Sequence, residues 1–136
     1  MNICADSNLL ISSANKNSSL YRISKVAVEK LLSRGDHLYV FPQNLIEFWA
    51  VATRPIISNG LGFTPARAAE EIAQVRTIFQ LIPETPAIFP EWQRLVVENN
   101  VSGKNVHDAR IAAQLNVNNI ANILTFNAKD FKRFEN

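Results

Sequence analysis

Cysteine is almost absent from this sequence of 136 residues, since Cys4 is the single one. One cysteine cannot form an internal disulfide or a paired-cysteine zinc site, which excludes disulfide-stapled secreted scaffolds and zinc knuckles. No run of about 18 apolar residues is present, so a membrane-spanning helix is not expected. Residues 1–6 contain no basic segment of the kind that opens a signal peptide. These absences predict a cytoplasmic protein that does not enter a membrane.

Glycine is also scarce, with four residues that form neither a GxGxxG fingerprint nor a P-loop. A doubly wound nucleotide-binding domain is therefore the weakest of the functional alternatives. The composition is that of a folded globular protein, because 47% of the residues are hydrophobic and 19% are charged. The net charge of +2 is compatible with binding to nucleic acid but does not require it.

Short apolar runs alternate with helical patterns, and no linker or repeat divides the chain. Strands are predicted at residues 3–5, 37–41, 81–83 and within 120–126. A helix begins after Asp6, and others are predicted at residues 20–33, 43–53, 64–79, 86–99 and 105–115. The alternation predicts one domain over residues 1–136, with an α/β architecture in which helices pack on a mostly parallel sheet.

Four acidic residues lie where a parallel sheet binds its ligands, beyond the carboxyl ends of the strands. Asp6 follows the first predicted strand, and Asp130 comes a few residues after the last one. Glu47 and Asp108 are each placed in the first turn of a helix. We therefore expect these four carboxyl groups to converge at one edge of the sheet, with Asp36 at the opposite edge.

Each acid also has an ordinary structural interpretation. Asn44 precedes Glu47 at the spacing of a capping box, and Asn105 precedes the third acid at the same spacing. Asp6 and Asp130 fit plain N-caps, and the helix dipole favours acids in first turns. The group of four is a stronger signal than any single member, since all four are expected at one edge.

A cluster of four carboxylates carries an electrostatic cost that indicates what it binds. Two carboxylates about 4 Å apart repel by roughly 4 kcal/mol at an effective dielectric constant near 20. Protons or divalent cations must therefore neutralise the cluster, and all-oxygen ligands favour Mg²⁺ or Mn²⁺ over zinc. Such ions activate water and stabilise charge on a phosphoryl group, so the acids indicate phosphate chemistry.

Four segments resemble the motifs of PIN domains, in the same order and over the whole chain. They are Asp6-Ser7-Asn8, residues 41–49, Val106-His107-Asp108-Ala109 and residues 124–131. The subgroup that the sequence resembles is the VapC-like toxins of bacterial toxin–antitoxin pairs. The resemblance implies a three-layer α/β/α sandwich with a short, mostly parallel sheet and the activity of a Mg²⁺- or Mn²⁺-dependent ribonuclease. It also implies an RNA substrate, a small antitoxin partner and a homodimer.

The resemblance carries roles over to individual positions. It implies that Asp6, Glu47 and Asp108 are acids of the metal site. Ser7 and Asn8 would line that site, Ser7 by hydrogen-bonding a carboxylate or water. Hydrolysis of the RNA backbone by such a site would leave a 5′-phosphate and a 3′-hydroxyl.

The fourth acid departs from the family pattern. Many relatives have an aspartate sooner after the last strand, where this sequence has Asn127, and Asp130 comes three residues later. Either Asp130 serves as the fourth acid or Asn127 offers a neutral oxygen. Relatives also tend to continue into a further edge strand where this sequence stops at Asn136, so it is expected to be naturally short or a fragment.

Basic residues near the acids are candidate contacts to RNA phosphates. Lys104 lies four residues before Asp108, and Arg110 lies on the same helix. Near the end of the chain a basic rim is formed by Lys129, Lys132 and Arg133. The ordinary alternative for each of them is a solvated surface charge.

Three further residues have two interpretations. His107 adjoins an acid and is a conceivable base, but adjacent helical residues point in different directions, which favours packing or hydrogen bonding. Phe48 and Trp49 could stack on RNA bases. Their helical spacing with other apolar residues favours burial instead.

The alternative from a different functional class is a catalytically impaired PIN-like domain that binds RNA or serves as a scaffold. The asparagine at position 127 favours it. Mn²⁺ titration separates the two, because an intact site raises the melting temperature by linkage. A phosphatase or a DNA nuclease with similar ions stays open, since the acids do not distinguish RNA from DNA.

Overall fold

The computed structural model describes residues 1–135. Its strands are β1 (Asn2–Ala5), β2 (His37–Val40), β3 (Gln80–Leu81) and β4 (Asn122–Leu124). Its helices are α1 (Ser7–Ala14), α2 (Tyr21–Ser33), α3 (Pro42–Ala52), α4 (Pro65–Ile78), α5 (Ile88–Glu98) and α6 (Val106–Val117). Short 3₁₀ segments cover Ile56–Ser58, Gly103–Asn105 and Ala128–Phe134. The predicted elements therefore all form, with ends shifted by a few residues.

The four strands pair in the order β3-β2-β1-β4, and all three pairings are parallel. In the register, Ile3 of β1 lies between Leu38 of β2 and Asn122 of β4. The prediction of a mostly parallel sheet is confirmed. The chain runs outward from β1 to β2 and β3, then returns to β4 on the other side of β1. This reversal makes the gap between β1 and β4 the topological switch point, where parallel sheets bind ligands.

Alternating side chains of the central strand divide the core into two. Ile3 and Ala5 pack in the large apolar cluster that includes residues of α1, α2, α3 and α4. Cys4 points the opposite way and packs with Phe41 and Ile120, next to α6. Helices α5 and α6 share a further cluster on that side with the last 3₁₀ segment. The three-layer α/β/α sandwich is therefore confirmed. None of the helices in residues 1–135 has the length and apolar character that crossing a membrane requires.

The start of α3 corrects the predicted capping box. The helix begins at Pro42, one turn earlier than the pattern of Asn44 and Glu47 implies, so Glu47 lies in the second turn. Proline suits this first position because its fixed φ is helical and it has no N–H that needs a partner. The Asn44 side chain instead accepts a hydrogen bond from the backbone N–H of Phe41 at 2.8 Å.

The second predicted capping box is also absent. Asn105 ends a 3₁₀ segment that runs directly into α6, and its backbone is already helical at φ −66° and ψ −11°. A capping side chain needs an extended backbone at that position, so Asn105 makes no cap bond. Asp108 does lie in the first turn of α6, as predicted. Asp130 lies inside the last 3₁₀ segment and is not its N-cap.

Candidate metal centre

Asp6 sits at the carboxyl end of β1, where it caps α1 and faces the end of β4. One carboxylate oxygen accepts the backbone N–H of Ser7 at 2.8 Å. The other accepts the hydroxyl of Thr125 at 2.9 Å and the side-chain amide of Asn8 at 3.3 Å. The Asp6 N–H donates to the carbonyl of Leu124 at 3.0 Å. The carboxylate is thus held at the switch point by both strands.

Thr125 is a site residue that the sequence analysis did not single out. Its hydroxyl donates a hydrogen bond to the Asp6 carboxylate at 2.9 Å. The same hydroxyl oxygen accepts hydrogen bonds from the Asn8 side-chain amide at 3.1 Å and from the Asn127 N–H at 3.0 Å. Asn8 also accepts the N–H of Phe126 at 3.2 Å. The available signal was its position directly after the last strand, equivalent to that of Asp6 after the first.

Glu47 and Asp108 approach the same place from opposite layers of the sandwich. Burial raises the pKa of Glu47 to about 7, with further contributions from the charges of Asp6 and Asp108, while hydrogen bonding to Gln43 opposes the rise. Burial also raises the pKa of Asp108, and the charges of Asp130 and Asp6 add to the shift. Asp6 and Asp108 are therefore within electrostatic reach of each other and of both Glu47 and Asp130.

The pKa of Asp6 follows the same pattern. Burial raises it, the hydrogen bonds from Thr125 and Ser7 lower it, and the charge of Asp130 raises it again. Asp36 behaves oppositely, because it accepts a bond from the Met1 amine at 2.7 Å, which lowers its pKa. This aspartate lies at the other end of the sheet, as predicted. The carboxyl groups of Asp6, Glu47 and Asp108, whose pKa values are raised, instead lie at the carboxyl edge.

The donor chemistry of this group fits a hard divalent cation. Carboxylate oxygens are the ligands that Mg²⁺ and Mn²⁺ prefer, and the charge of these acids needs neutralising. Within residues 1–135, however, no three His, Cys, Asp or Glu side chains form a set that could hold a metal ion. The acids are neighbours and not a closed ligand set, as expected of like charges that repel one another.

The remaining predicted site residues lie on α6 or at the 3₁₀ segments Gly103–Asn105 and Ala128–Phe134. Arg110 turns away, donating to the Gln43 side chain at 3.0 Å and to Glu84 at 2.9 Å. Lys104 is exposed in the 3₁₀ segment before α6, and Asn127 is exposed before the last one. In the basic rim, the charge of Arg133 opposes the rise in the pKa of Asp108 that burial causes, so Arg133 is within electrostatic reach of that acid.

A comparison with protein families decides the identity of this fold. The family model of the PIN domain matches residues 3–136. The chain belongs to the PIN domain family. No curated protein matches it by sequence.

Three solved structures with similar folds are VapC proteins or VapBC complexes. VapBC2 from Rickettsia felis, bound to a DNA fragment from its promoter, has a TM-score of 0.71 and 18% identity over 98% of this PIN domain and 92% of that chain. Mycobacterium tuberculosis VapC20, a sarcin–ricin loop cleaving toxin, has a TM-score of 0.68 and 18% identity, over 96% of this PIN domain and 93% of that chain. VapBC-1 from nontypeable Haemophilus influenzae has a TM-score of 0.66 and 15% identity, over 98% of this PIN domain and 92% of that chain. At these identities, the similarity establishes the fold.

We expect the metal-free PIN domain to become less stable as the pH rises from 5 to 8. An acid whose pKa is raised in the folded state binds protons more tightly when folded, so its deprotonation favours unfolding. For Glu47 this window extends from its ordinary value of 4.5 to about 7. Solvent screening limits the loss to about 1–2 kcal/mol. Urea unfolding in EDTA at the two pH values measures it.

The matched variant is Glu47→Gln, which should flatten this dependence between pH 5 and 8. The lowered pKa of Asp36 acts below its ordinary value of 3.8 and so leaves the window unaffected. Wild-type stability that increases from pH 5 to 8 would contradict the prediction.

Proposed function

We propose that residues 1–136 form one PIN domain that acts as a metal-dependent endoribonuclease and as the toxin of a toxin–antitoxin pair, with cytoplasmic RNA as its substrate. The observation that carries this proposal is the group of mutually repelling carboxylates at the switch point of the sheet. Stability alone does not explain such a group, because like charges in a partly buried site cost free energy. The similarity to a sarcin–ricin loop cleaving toxin supports RNA as the substrate.

In this proposal Asp6 and Asp108 hold Mg²⁺ or Mn²⁺, together with Glu47. The fourth ligand is Asp130 or the neutral oxygen of Asn127. A divalent ion bound there lowers the pKa of a coordinated water and neutralises charge on the phosphate.

The side chains of the chain itself then have defined tasks. Glu47 would hold a second ion or orient the attacking water. The backbone N–H of Ser7 and the hydroxyl of Thr125 orient the Asp6 carboxylate through their hydrogen bonds. Asn8 fixes Thr125 and lines the substrate side.

Basic residues supply the contacts to the RNA backbone in this proposal. Lys104 and the rim of Lys129, Lys132 and Arg133 are exposed, and the charge of Arg133 acts on the Asp108 carboxyl. Arg110 contributes through the guanidinium N–H groups that its bonds to Gln43 and Glu84 leave free. Such contacts make RNA binding fall with rising salt concentration, without specifying the sequence.

The antitoxin is the second proposed partner. A groove of about 240 Å³ lies between α1, α2 and α4 and is floored by apolar side chains such as Leu10, Val28 and Val75. Lys25 and Glu71 add charges to its lining. This groove suits an amphipathic segment of a small protein, and two of the similar structures are VapBC complexes. A homodimer is the other association that we propose.

The test of the function is cleavage of RNA by the purified protein with Mg²⁺ or Mn²⁺ and with EDTA. Cleavage that requires the ion supports the proposal. Cleavage that survives EDTA, or metal-dependent cleavage confined to DNA, would contradict it.

One observation favours a second candidate, a catalytically impaired domain that binds RNA or serves as a scaffold. Within residues 1–135 the acids do not form a ready metal-binding set, and Asn127 occupies the position of the fourth acid. Mn²⁺ separates the candidates, because a ligand at 100 times its Kd stabilises the folded state by about 2.7 kcal/mol. An unchanged melting temperature at millimolar Mn²⁺ would favour the impaired domain.

We expect Thr125→Val to lower cleavage about 10- to 100-fold while the protein stays folded. Valine keeps the shape of threonine but cannot donate to the Asp6 carboxylate, which then loses one of the bonds that orient it. Initial rates at saturating Mn²⁺ measure the effect. Thr53→Val is the matched control, since the Thr53 hydroxyl donates to the Trp49 carbonyl at the end of α3, away from the acids. Equal losses in both variants would contradict a role at the site.

A further inference from the structure

A buried polar cluster joins α3 to α6 beneath the acids. Gln43 is its centre, with 9% of its surface exposed. Its side-chain amide donates to the carbonyl of His107 at 3.0 Å. Its side-chain oxygen accepts from the guanidinium of Arg110 at 3.0 Å and from the amide of Gln114 at 2.9 Å. All three partners belong to α6, so one side chain of α3 is fixed to three positions of the opposite layer.

The location of these bonds relates them to the acids. Glu47 lies one helical turn after Gln43 on α3, and Asp108 directly follows His107 on α6. In the part of the chain from 1 to 135, every side-chain hydrogen bond between α3 and α6 involves Gln43. Gln43 therefore connects the helix that carries Glu47 to the helix that carries Asp108.

The cluster is poorly suited to serve stability alone. Gln114 is fully buried, and its side-chain oxygen has no hydrogen-bond partner among the described residues. An unpaired buried oxygen costs stability, whereas apolar side chains of similar volume would avoid that cost. The Gln114 side-chain amide donates to Gln43 at 2.9 Å and to the carbonyl of Arg110, within α6, at 3.2 Å. The cluster therefore lowers the stability of the fold while its hydrogen bonds fix the position of α3 relative to α6.

We infer that Gln43 is a positioning residue, which fixes the separation of Glu47 and Asp108 against their repulsion and thereby sets the affinity of the site for a divalent ion. This inference rests on the proposed function. Hydrogen-bond partners behind metal ligands typically change metal affinity 10- to 100-fold when they are removed.

The test is the affinity of the purified protein for Mn²⁺, measured by isothermal titration calorimetry without RNA. Gln43→Met keeps the length of the side chain but removes its three bonds to α6 and its hydrogen bond to Glu47, and we expect Mn²⁺ affinity to fall about 10-fold or more. The matched control is Trp92→Phe, which removes the bond from the indole N–H to the Val106 carbonyl, 2.8 Å long, at the same end of α6. The control should also lose stability, but its Mn²⁺ affinity should stay that of the wild type.

A second comparison distinguishes positioning from a general loss of structure. In an Asp108→Asn background one of the two positioned acids is gone, so Gln43→Met should cause little further loss of Mn²⁺ affinity. The same fold-loss in both backgrounds would overturn the inference. If Gln43→Met does not fold, Gln114→Met is used in its place, because this variant removes one of the three bonds that Gln43 makes to α6. Reduced Mn²⁺ affinity of Gln114→Met supports the inference, and unchanged affinity overturns it.

The two proposals fail in different ways. Wild-type protein that does not bind Mn²⁺ would remove the proposed function and the inference with it. Wild-type binding together with equal binding by Gln43→Met would overturn the inference and leave the proposed function standing.

Discussion

Asp6→Asn is expected to abolish most metal-dependent RNA cleavage, with a loss of about 10³-fold, equivalent to about 4 kcal/mol of transition-state stabilisation. Asparagine keeps the size of the side chain and one acceptor oxygen for the N–H of Ser7 or the hydroxyl of Thr125. It removes the negative charge that the proposed metal site requires. Asp108→Asn should have the same consequence from the other side of the site. Single-turnover cleavage with Mn²⁺, corrected for the EDTA background, measures both.

The structure offers a matched control for this experiment in Asp36. It is also a buried aspartate, but it lies at the opposite end of the sheet and pairs with the Met1 amine at 2.7 Å and Arg34 at 3.0 Å. Asp36→Asn should lower stability and leave cleavage per folded molecule unchanged. Full EDTA-sensitive cleavage by Asp6→Asn would show that the acids at the switch point are not the site.

The Asp6 variant should also change stability in a direction that a purely structural aspartate would not. Because burial and the charge of Asp130 raise the pKa of Asp6, its carboxylate is unfavourable in the metal-free fold. Asp6→Asn should therefore leave the metal-free protein at pH 8 at least as stable as the wild type, while Mn²⁺ stabilises only the wild type.

The convergence of the acids was predictable from the sequence because it depends on one rule of architecture. Parallel strands present their carboxyl ends at one edge, so Asp6 and Asp108 could be assigned to that edge without coordinates. The apolar runs at residues 3–5 and 37–41 were sufficient to identify the two central strands. Periodicity thus carries information about layers and edges.

Periodicity carries no information about neutral polar residues that connect distant segments. Thr125 reaches Asp6 across 119 positions of sequence, and Gln43 reaches Gln114 across 71. Neither residue has a charge, and the one available signal was the position of Thr125 directly after the last strand. Arg110 shows the converse, since its proximity to Asp108 in sequence indicated a phosphate contact, whereas its guanidinium is bonded to Gln43 and Glu84.

The start of α3 shows how two local signals can compete. The spacing of Asn44 and Glu47 indicates an N-cap at Asn44, and Pro42 indicates a helix that begins one turn earlier. The proline prevails because it stabilises the first helical position, and Asn44 can still bond the chain before it. The shift moves Glu47 into the second turn, where burial raises its pKa.

Phe48→Ala is expected to lower the free energy of unfolding by about 3–5 kcal/mol. The Phe48 side chain is fully buried in the cluster shared by β1, β2 and α1–α4, so alanine leaves a cavity that the surrounding side chains can fill only partly. A loss of that size is a large part of the 5–15 kcal/mol that typically stabilises a domain. Urea unfolding at a fixed pH in EDTA measures it. Ile57→Ala is the matched control, because 95% of Ile57 is exposed and its truncation should change stability by less than about 0.5 kcal/mol.

The same variant decides between the two interpretations of the aromatic pair. If Phe48 belongs to the core, Phe48→Ala at low temperature should bind RNA normally per folded molecule and should unfold at lower urea. If Phe48 stacks on RNA bases, stability should be unchanged and RNA affinity should fall, by about 1–3 kcal/mol for each lost stack. Burial favours the first result, since a side chain with 0% exposure cannot reach a base without opening the fold. Trp49 is only partly buried against the same cluster, so Trp49→Ala should cost less stability than Phe48→Ala.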